Sequence, residues 1–178
     1  MKTPANSPFC VRTRICNYQQ RSGTRPDRRR IVHFNITEHP TAQWTAQQIV
    51  EAFPWEEAPR YLLRDRDSIY GEVFPDRIGH MGIEAVKVTP RNPWQSPYVE
   101  RLIGSIWREC LNDMIVLNER HLQRVLQSYV DYYHNWRVHR SLEMDASEPR
   151  PIQSAALGPV RKLPEVGGLH HHYERMAA

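Results

Sequence analysis

Two carboxylates stand where a metal ion could use them. Asp65 follows the apolar run Tyr61-Leu62-Leu63, at the C-terminal end of an expected strand, which is where α/β sheets place their sites. Glu100 comes 35 positions later, in the first turn of an expected helix. A capping box would put its acid three residues after the cap; with Ser96 as cap, that position is Val99. A favourable contact with the helix dipole is the ordinary use of Glu100. Its helical angle also sets it beside an apolar stripe, near Ile103 and Gly104. An acid there costs desolvation unless a cation pairs with it, either a metal ion or an arginine such as Arg101. Asp67 is a rival acid in the same loop as Asp65, with turn formation as its ordinary role.

The elements that must position these acids are visible as periodicity. Ile31 to Ile36 alternates, with Val32, Phe34 and Ile36 on one expected buried face. Thr41 to Phe53 reads as a helix stopped by Pro54. The strand Tyr61–Leu63 is followed by a short irregular helix and loop between Gly71 and Gly82, then by a strand over Ile83–Val88. Two strong helices come next. The first presents Val99, Leu102, Ile103, Ile106, Trp107, Cys110 and Leu111 on one stripe, with Ser96 and Pro97 at its start. The second runs from about Glu119 to Trp136, with Leu122, Val125, Leu126, Tyr129, Val130 and Tyr133 inward. After Ser141 prolines and glycines punctuate a stretch without a periodic run, and an extended tail is expected over 152–178. Strands, then helices on one sheet, predict an α/β domain.

The chain has 178 residues, 40% of them hydrophobic and 25% charged, enough apolar material for one core domain. No segment approaches the ~20 apolar residues of a membrane span, so no membrane partner is expected. No secretory h-region opens the sequence, and Cys10, Cys16 and Cys110 lack metal or disulfide spacing. Reduced thiols in an intracellular, cytoplasmic protein are the expectation. Net charge is +4, but residues 1–30 hold eight basic side chains and one acid, whereas 31–178 hold 16 basic and 19 acidic. The basic character therefore belongs to the N-terminal stretch.

Three segments carry a resemblance. Thr89-Pro90-Arg91-Asn92-Pro93-Trp94-Gln95-Ser96-Pro97-Tyr98-Val99-Glu100-Arg101, followed by Trp107-Arg108-Glu109-Cys110-Leu111, resembles the glutamate segment of integrase-core transposases of bacterial insertion sequences. Leu63-Arg64-Asp65-Arg66-Asp67-Ser68-Ile69-Tyr70 is similar to the second-aspartate segment of that family. His121 to Leu126 and Tyr132 to Leu142 resemble the helix and basic turn that close the domain, with Val138 where proline is usual. The resemblance covers about 28–151 and implies a ribonuclease-H-like integrase catalytic core, nucleoid-associated in a bacterium. It implies DNA as partner, and either homo-oligomers or pairing with a full-length relative. Two Mg²⁺ or Mn²⁺ ions would be held by two aspartates and a glutamate. Asp65 would be the second aspartate and Glu100 the glutamate. Two such ions suit in-line displacement at a phosphodiester, one activating the nucleophile and one stabilising the leaving oxygen. Arg91, Arg101, Arg108, Arg137, His139 and Arg140 would be phosphate contacts, each with solvated surface arginine or histidine as the ordinary alternative. Trp94 and Tyr98 are candidates for base stacking or plain packing.

The first aspartate of the family is missing. Arg25 stands in its place, and Asp27, two residues on, would lie about 6.6 Å further along an extended chain. The long apolar strand that should carry that aspartate is missing as well. Phe9–Cys16 alternates but would bury Arg12 and Arg14. An unrelated basic segment over 1–27 joined to a core lacking its first strand is therefore expected, with catalysis defective as written. A non-catalytic DNA-binding or oligomerising remnant is the alternative. His134 and His139 are poorly spaced for zinc, and His170-His171-His172, far from the motifs, is given no function.

Overall fold

A computed structural model describes residues 30–53, 58–64, 66–67, 70–87, 89 and 97–177, without the side chains of 97 and 98. These residues form two compact units, one within 31–99 and one made of Arg30 with the chain from Glu100 onward.

In the first unit, α1 (Ala42–Ala52) starts at Thr41, whose extended backbone and side chain form an N-cap; its Oγ1 accepts from the Trp44 N–H at 3.1 Å. The strand β1 (Tyr61–Arg64) pairs in parallel with β2 (Glu84–Lys87), from Tyr61 opposite Glu84 to Arg64 opposite Lys87. Parallel neighbours need a crossover, and α2 (Val73–Gly79) supplies it. Gly82, at φ +74, turns the chain from α2 towards β2 in a conformation that side-chain-bearing residues resist. Ala46, Ile49 and Phe53 pack with Leu62, Phe74, Ile78 and Ile83 to make the core. Each large side chain fully buried there contributes about 1.5–3 kcal/mol.

One expected strand is absent. Ile31–Ile36 forms no ladder among the described residues beyond a bridge at His33. The expected face is also not the buried one at its start: Ile31 is buried and Val32 exposed, while His33, Phe34, Asn35 and Ile36 are all half-buried. The cause is polar. His33 Nε2 meets Gln48 Oε1 at 2.9 Å and Asn35 Nδ2 donates to the same oxygen at 2.8 Å, so the odd-numbered side faces α1.

The second unit is built on α3 (Pro97–Glu109) and α4 (Glu119–Asn135). Asn118 caps α4, its side chain accepting from the His121 N–H at 2.8 Å. All six inward residues expected of α4, Leu122 through Tyr133, are buried, together with Leu102, Ile106, Cys110 and Leu111. The chain beyond 152, expected to be an extended tail without regular pattern, instead folds back on itself. β3 (Val160–Glu165) pairs antiparallel with β4 (His170–Arg175) through a turn at Val166-Gly167-Gly168. All three turn residues have positive φ, which the two glycines adopt without strain. The segment over 1–27 and the candidate first strand, with Arg25 and Asp27, lie outside the described residues. No described helix is long and apolar enough to cross a membrane.

Candidate functional site

Glu100 sits in the first turn of α3 and is exposed. No hydrogen bond or ion pair joins it to another described residue, so its oxygens face solvent at the positive end of the helix dipole. Exposure removes the desolvation cost that its place beside the stripe would carry if it were covered. Asp65 and Arg91 lie outside the described residues, as do Trp94 and the side chain of Tyr98. Asp67 is described and half-buried; its carbonyl accepts from the Tyr70 N–H at 3.4 Å, consistent with a turn role.

Arg64, the residue before Asp65, points into the first unit. It is buried, with its guanidinium 4.8 Å from the Tyr70 ring centre and 6.0 Å from that of Phe74. Its Nε has no hydrogen-bond partner.

The far end of α3 is organised differently. Glu109 accepts from Arg137 Nε at 2.7 Å and Nη2 at 2.6 Å, a bidentate pair. Tyr129 donates its hydroxyl to Glu109 Oε2 at 2.8 Å. Arg137 Nη1 also donates to His139 Nδ1 at 3.1 Å, and Ser147 Oγ lies 3.4 Å from His139 Nε2. Because a guanidinium only donates, Nδ1 must accept and the ring proton belongs on Nε2, facing Ser147. Burial pushes the Glu109 carboxyl up, but the hydrogen bonds from Arg137 and Tyr129 outweigh it and hold the group below its ordinary value. The Arg137 cation is held more firmly by the same bonds, and burial raises the Tyr129 hydroxyl. Cys110 is fully buried and its thiol is pushed up to about 11 by burial and then by Asp113, which makes it a poor nucleophile.

These placements sort the expected phosphate contacts. Arg101, Arg108 and Arg140 are exposed. The Arg108 guanidinium folds back over Gly104, where a Cβ would stand 3.0 Å from Nη1. Arg137 is committed to Glu109, and His139 is 1% exposed. Both hold the fold of this unit, and neither is free to meet a phosphate as the chain stands.

Glu109, Tyr129 and the histidines of β4 were not among the residues singled out for a role. A signal existed for the first: Glu109 and Arg137 lie in two of the three segments that carried the resemblance, with opposite charges. The His170-His171-His172 run is not remote from the motifs. His170 donates from Nε2 to the Glu109 carbonyl at 2.7 Å and stacks on Tyr132, centres 4.3 Å apart. His172 stacks on Trp136 at 3.8 Å, with Nδ1 2.8 Å from Glu165 Oε1. Residues four apart on a helix and two apart on a strand advance by about 6 and 6.6 Å, so the two stacks stay in register.

Among the described residues, no three His, Cys, Asp or Glu side chains form a group able to hold a metal ion. Glu100 by itself offers the hard oxygen donors that Mg²⁺ prefers.

Residues 81–146 match the family described as Integrase core domain, a span that includes β2, α3, α4 and the Arg137–His139 turn. The α/β order of the described elements agrees with the ribonuclease-H-like class expected from the sequence. No curated protein matches this chain. A solved chain from the simian T-cell lymphotropic virus intasome in complex with PP2A regulatory subunit B56 gamma is similar over 79% of this chain and 55% of that one. The identity is 13% and the TM-score 0.48. This chain thus spans about half the length of that solved chain.

Proposed function

We propose that this chain is the catalytic-core region of a DNA transposase of the bacterial insertion-sequence type, joined to an unrelated basic segment over 1–27 and defective as written. The observation that carries the reading is the similarity of residues 81–146 to an integrase core domain, with the exposed Glu100 in its first helical turn. Asp65 and Glu100 are the surviving acids and would hold divalent metal. When bound, Mg²⁺ or Mn²⁺ neutralises charge on the scissile phosphate and lowers the cost of an attacking oxyanion. Glu100 contributes a solvent-facing carboxylate at a helix start. Arg101, Arg108 and Arg140 supply exposed cations for flanking phosphates, and such contacts position DNA without reading its sequence. Arg91, six residues before the first residue of α3 in sequence, is proposed for the same role.

The defect follows from charge. Arg25 stands where a third carboxylate is needed, and a guanidinium repels the cations an aspartate would hold. This favours a second reading, a DNA-binding remnant that pairs with further copies or with a full-length relative. The division 1–27, 28–151 and 152–178 and a cytoplasmic, nucleoid-associated location belong to the same proposal.

The test is Mn²⁺-dependent nicking of supercoiled plasmid by the full chain, with Glu100→Gln beside it. Salt-dependent plasmid binding without nicking is expected. Nicking that Glu100→Gln abolishes would overturn the defect and make the chain an enzyme. Absence of DNA binding by folded protein would overturn the reading as a whole.

A further inference from the structure

The hairpin of β3 and β4 separates its charges by face. Cross-strand partners in an antiparallel pair share a face. One face therefore carries Arg161 with Glu174, Leu163 with His172, and Glu165 with His170. This face meets the end of α4, through the stacks of His170 on Tyr132 and His172 on Trp136. Both acids of the hairpin lie on it, Glu165 2.8 Å and Glu174 3.8 Å from the His172 ring nitrogens.

The opposite face carries Val160 with Arg175, Lys162 with Tyr173, and Pro164 with His171. It has two fixed cations and no carboxylate. Lys162 is exposed, Tyr173 is 61% exposed and Val160 55%. Lys162 and Arg175 are diagonal neighbours across the pair, about 7–8 Å apart at the backbone. Arg175 is steadied by its Nη1 bond to the Gly158 carbonyl at 3.1 Å. Tyr173, directly opposite Lys162, holds a hydroxyl donor beside that cation.

We infer that this outward face of the hairpin docks the phosphodiester backbone of duplex DNA, with Lys162, Arg175 and the Tyr173 hydroxyl on successive phosphates. The argument is charge complementarity. The acids are turned inward, and the groups left outside include the cations of Lys162 and Arg175 and the Tyr173 hydroxyl, donor types that phosphate contacts use. An acidic protein would meet the same charge, and failure of the chain to bind duplex is the outcome that would favour one. The inference rests on the reading of the chain as a DNA-handling protein, though not on catalysis, and concerns a surface outside residues 81–146.

The test uses neighbours of opposite facing. The full chain is titrated with a fluorescent duplex of random sequence across a salt series, beside Lys162→Glu, Arg161→Glu and Tyr173→Phe. Arg161 is exposed, adjacent to Lys162 and on the other face, so the same change of charge is made on the same strand. Lys162→Glu is expected to weaken binding about tenfold near 0.1 M salt and to reduce the salt slope by about 1. Arg161→Glu should change affinity less than threefold. Tyr173→Phe keeps the ring, leaves the hairpin docked and should lose about two- to threefold. Equal losses from Lys162→Glu and Arg161→Glu, or no loss from Lys162→Glu with Tyr173→Phe also unchanged, would overturn the inference. So would a chain that binds no duplex. Plasmid nicking bears only on the preceding proposal, so the two fail separately.

Discussion

The two ends of α3 carry two glutamates with opposite surroundings. Glu100 faces solvent in the first turn with no described partner, whereas Glu109 is gripped by Arg137, Tyr129 and, through its carbonyl, His170. The first is at the favourable end of the helix dipole; the second is at the unfavourable end and needs its partners. The contrast is between a carboxylate hydrogen-bonded on both oxygens and one that makes no such bond to a described residue.

Breaking the gripped end should have the largest effect. Arg137→Ala leaves a half-buried carboxylate with only the Tyr129 hydroxyl, and we expect a loss of about 3 kcal/mol in urea unfolding, discounted from the full cost of orphaning a buried ion because both partners are partly exposed. A loss below about 1 kcal/mol would mean that the network is decorative.

The hairpin sharpens the same comparison, since it docks at the gripped end. Trp136→Ala removes the His172 stack and an Arg150 contact at 5.5 Å. A loss of about 2 kcal/mol is expected, with faster amide exchange in β3 and β4 than in α1. Uniform exchange in both regions would show that the stack does not anchor the hairpin.

Acid should act selectively as well. The Glu109 carboxyl is held below its ordinary 4.5 in the folded chain. Its contribution is therefore present above about pH 4.5 and lost as pH falls through the lower folded value. Urea midpoints measured from pH 6 down to pH 3 should fall more steeply for the unaltered chain than for Glu109→Gln. Parallel curves would remove Glu109 from the acid response.

The smallest effect is expected at the open end. Glu100→Gln should shift stability by no more than about 0.5 kcal/mol, as surface substitutions do. A larger loss would reveal a structural partner for this acid.

How much of this was legible in the sequence depends on whether local pattern or tertiary context decides. Helix α4 was fully legible, because its six apolar residues repeat at helical spacing and all six are buried. The hairpin was not. Its strands are spelled with Lys, Pro, Glu and His, poor strand formers, and stand because His170 and His172 meet Tyr132 and Trp136. Gly167-Gly168, which read as punctuation, is the turn between them. The strand expected over Ile31–Ile36 meets a related tertiary effect: Gln48 on α1 takes hydrogen bonds from His33 and Asn35, which ties the polar side to the helix. At the candidate site, the place of Glu100 in the first turn of a helix was legible from the sequence. The roles of Arg137 and His139 were not, because a charge in a basic turn looks the same whether its partner is a phosphate or a carboxylate 28 residues away.

The central claim is that the chain keeps the DNA-handling frame of an integrase core while its metal site lacks more than one part. The most direct test is Mn²⁺-dependent plasmid nicking by Arg25→Asp, beside the unaltered chain and the double change Arg25→Asp with Glu100→Gln. The account predicts that Arg25→Asp binds plasmid yet restores little nicking, because the sequence around Arg25 also offers no long apolar run to carry the acid. Robust nicking by Arg25→Asp that disappears in the double variant would contradict it, and would mean that one substitution was all that separated this chain from an active enzyme.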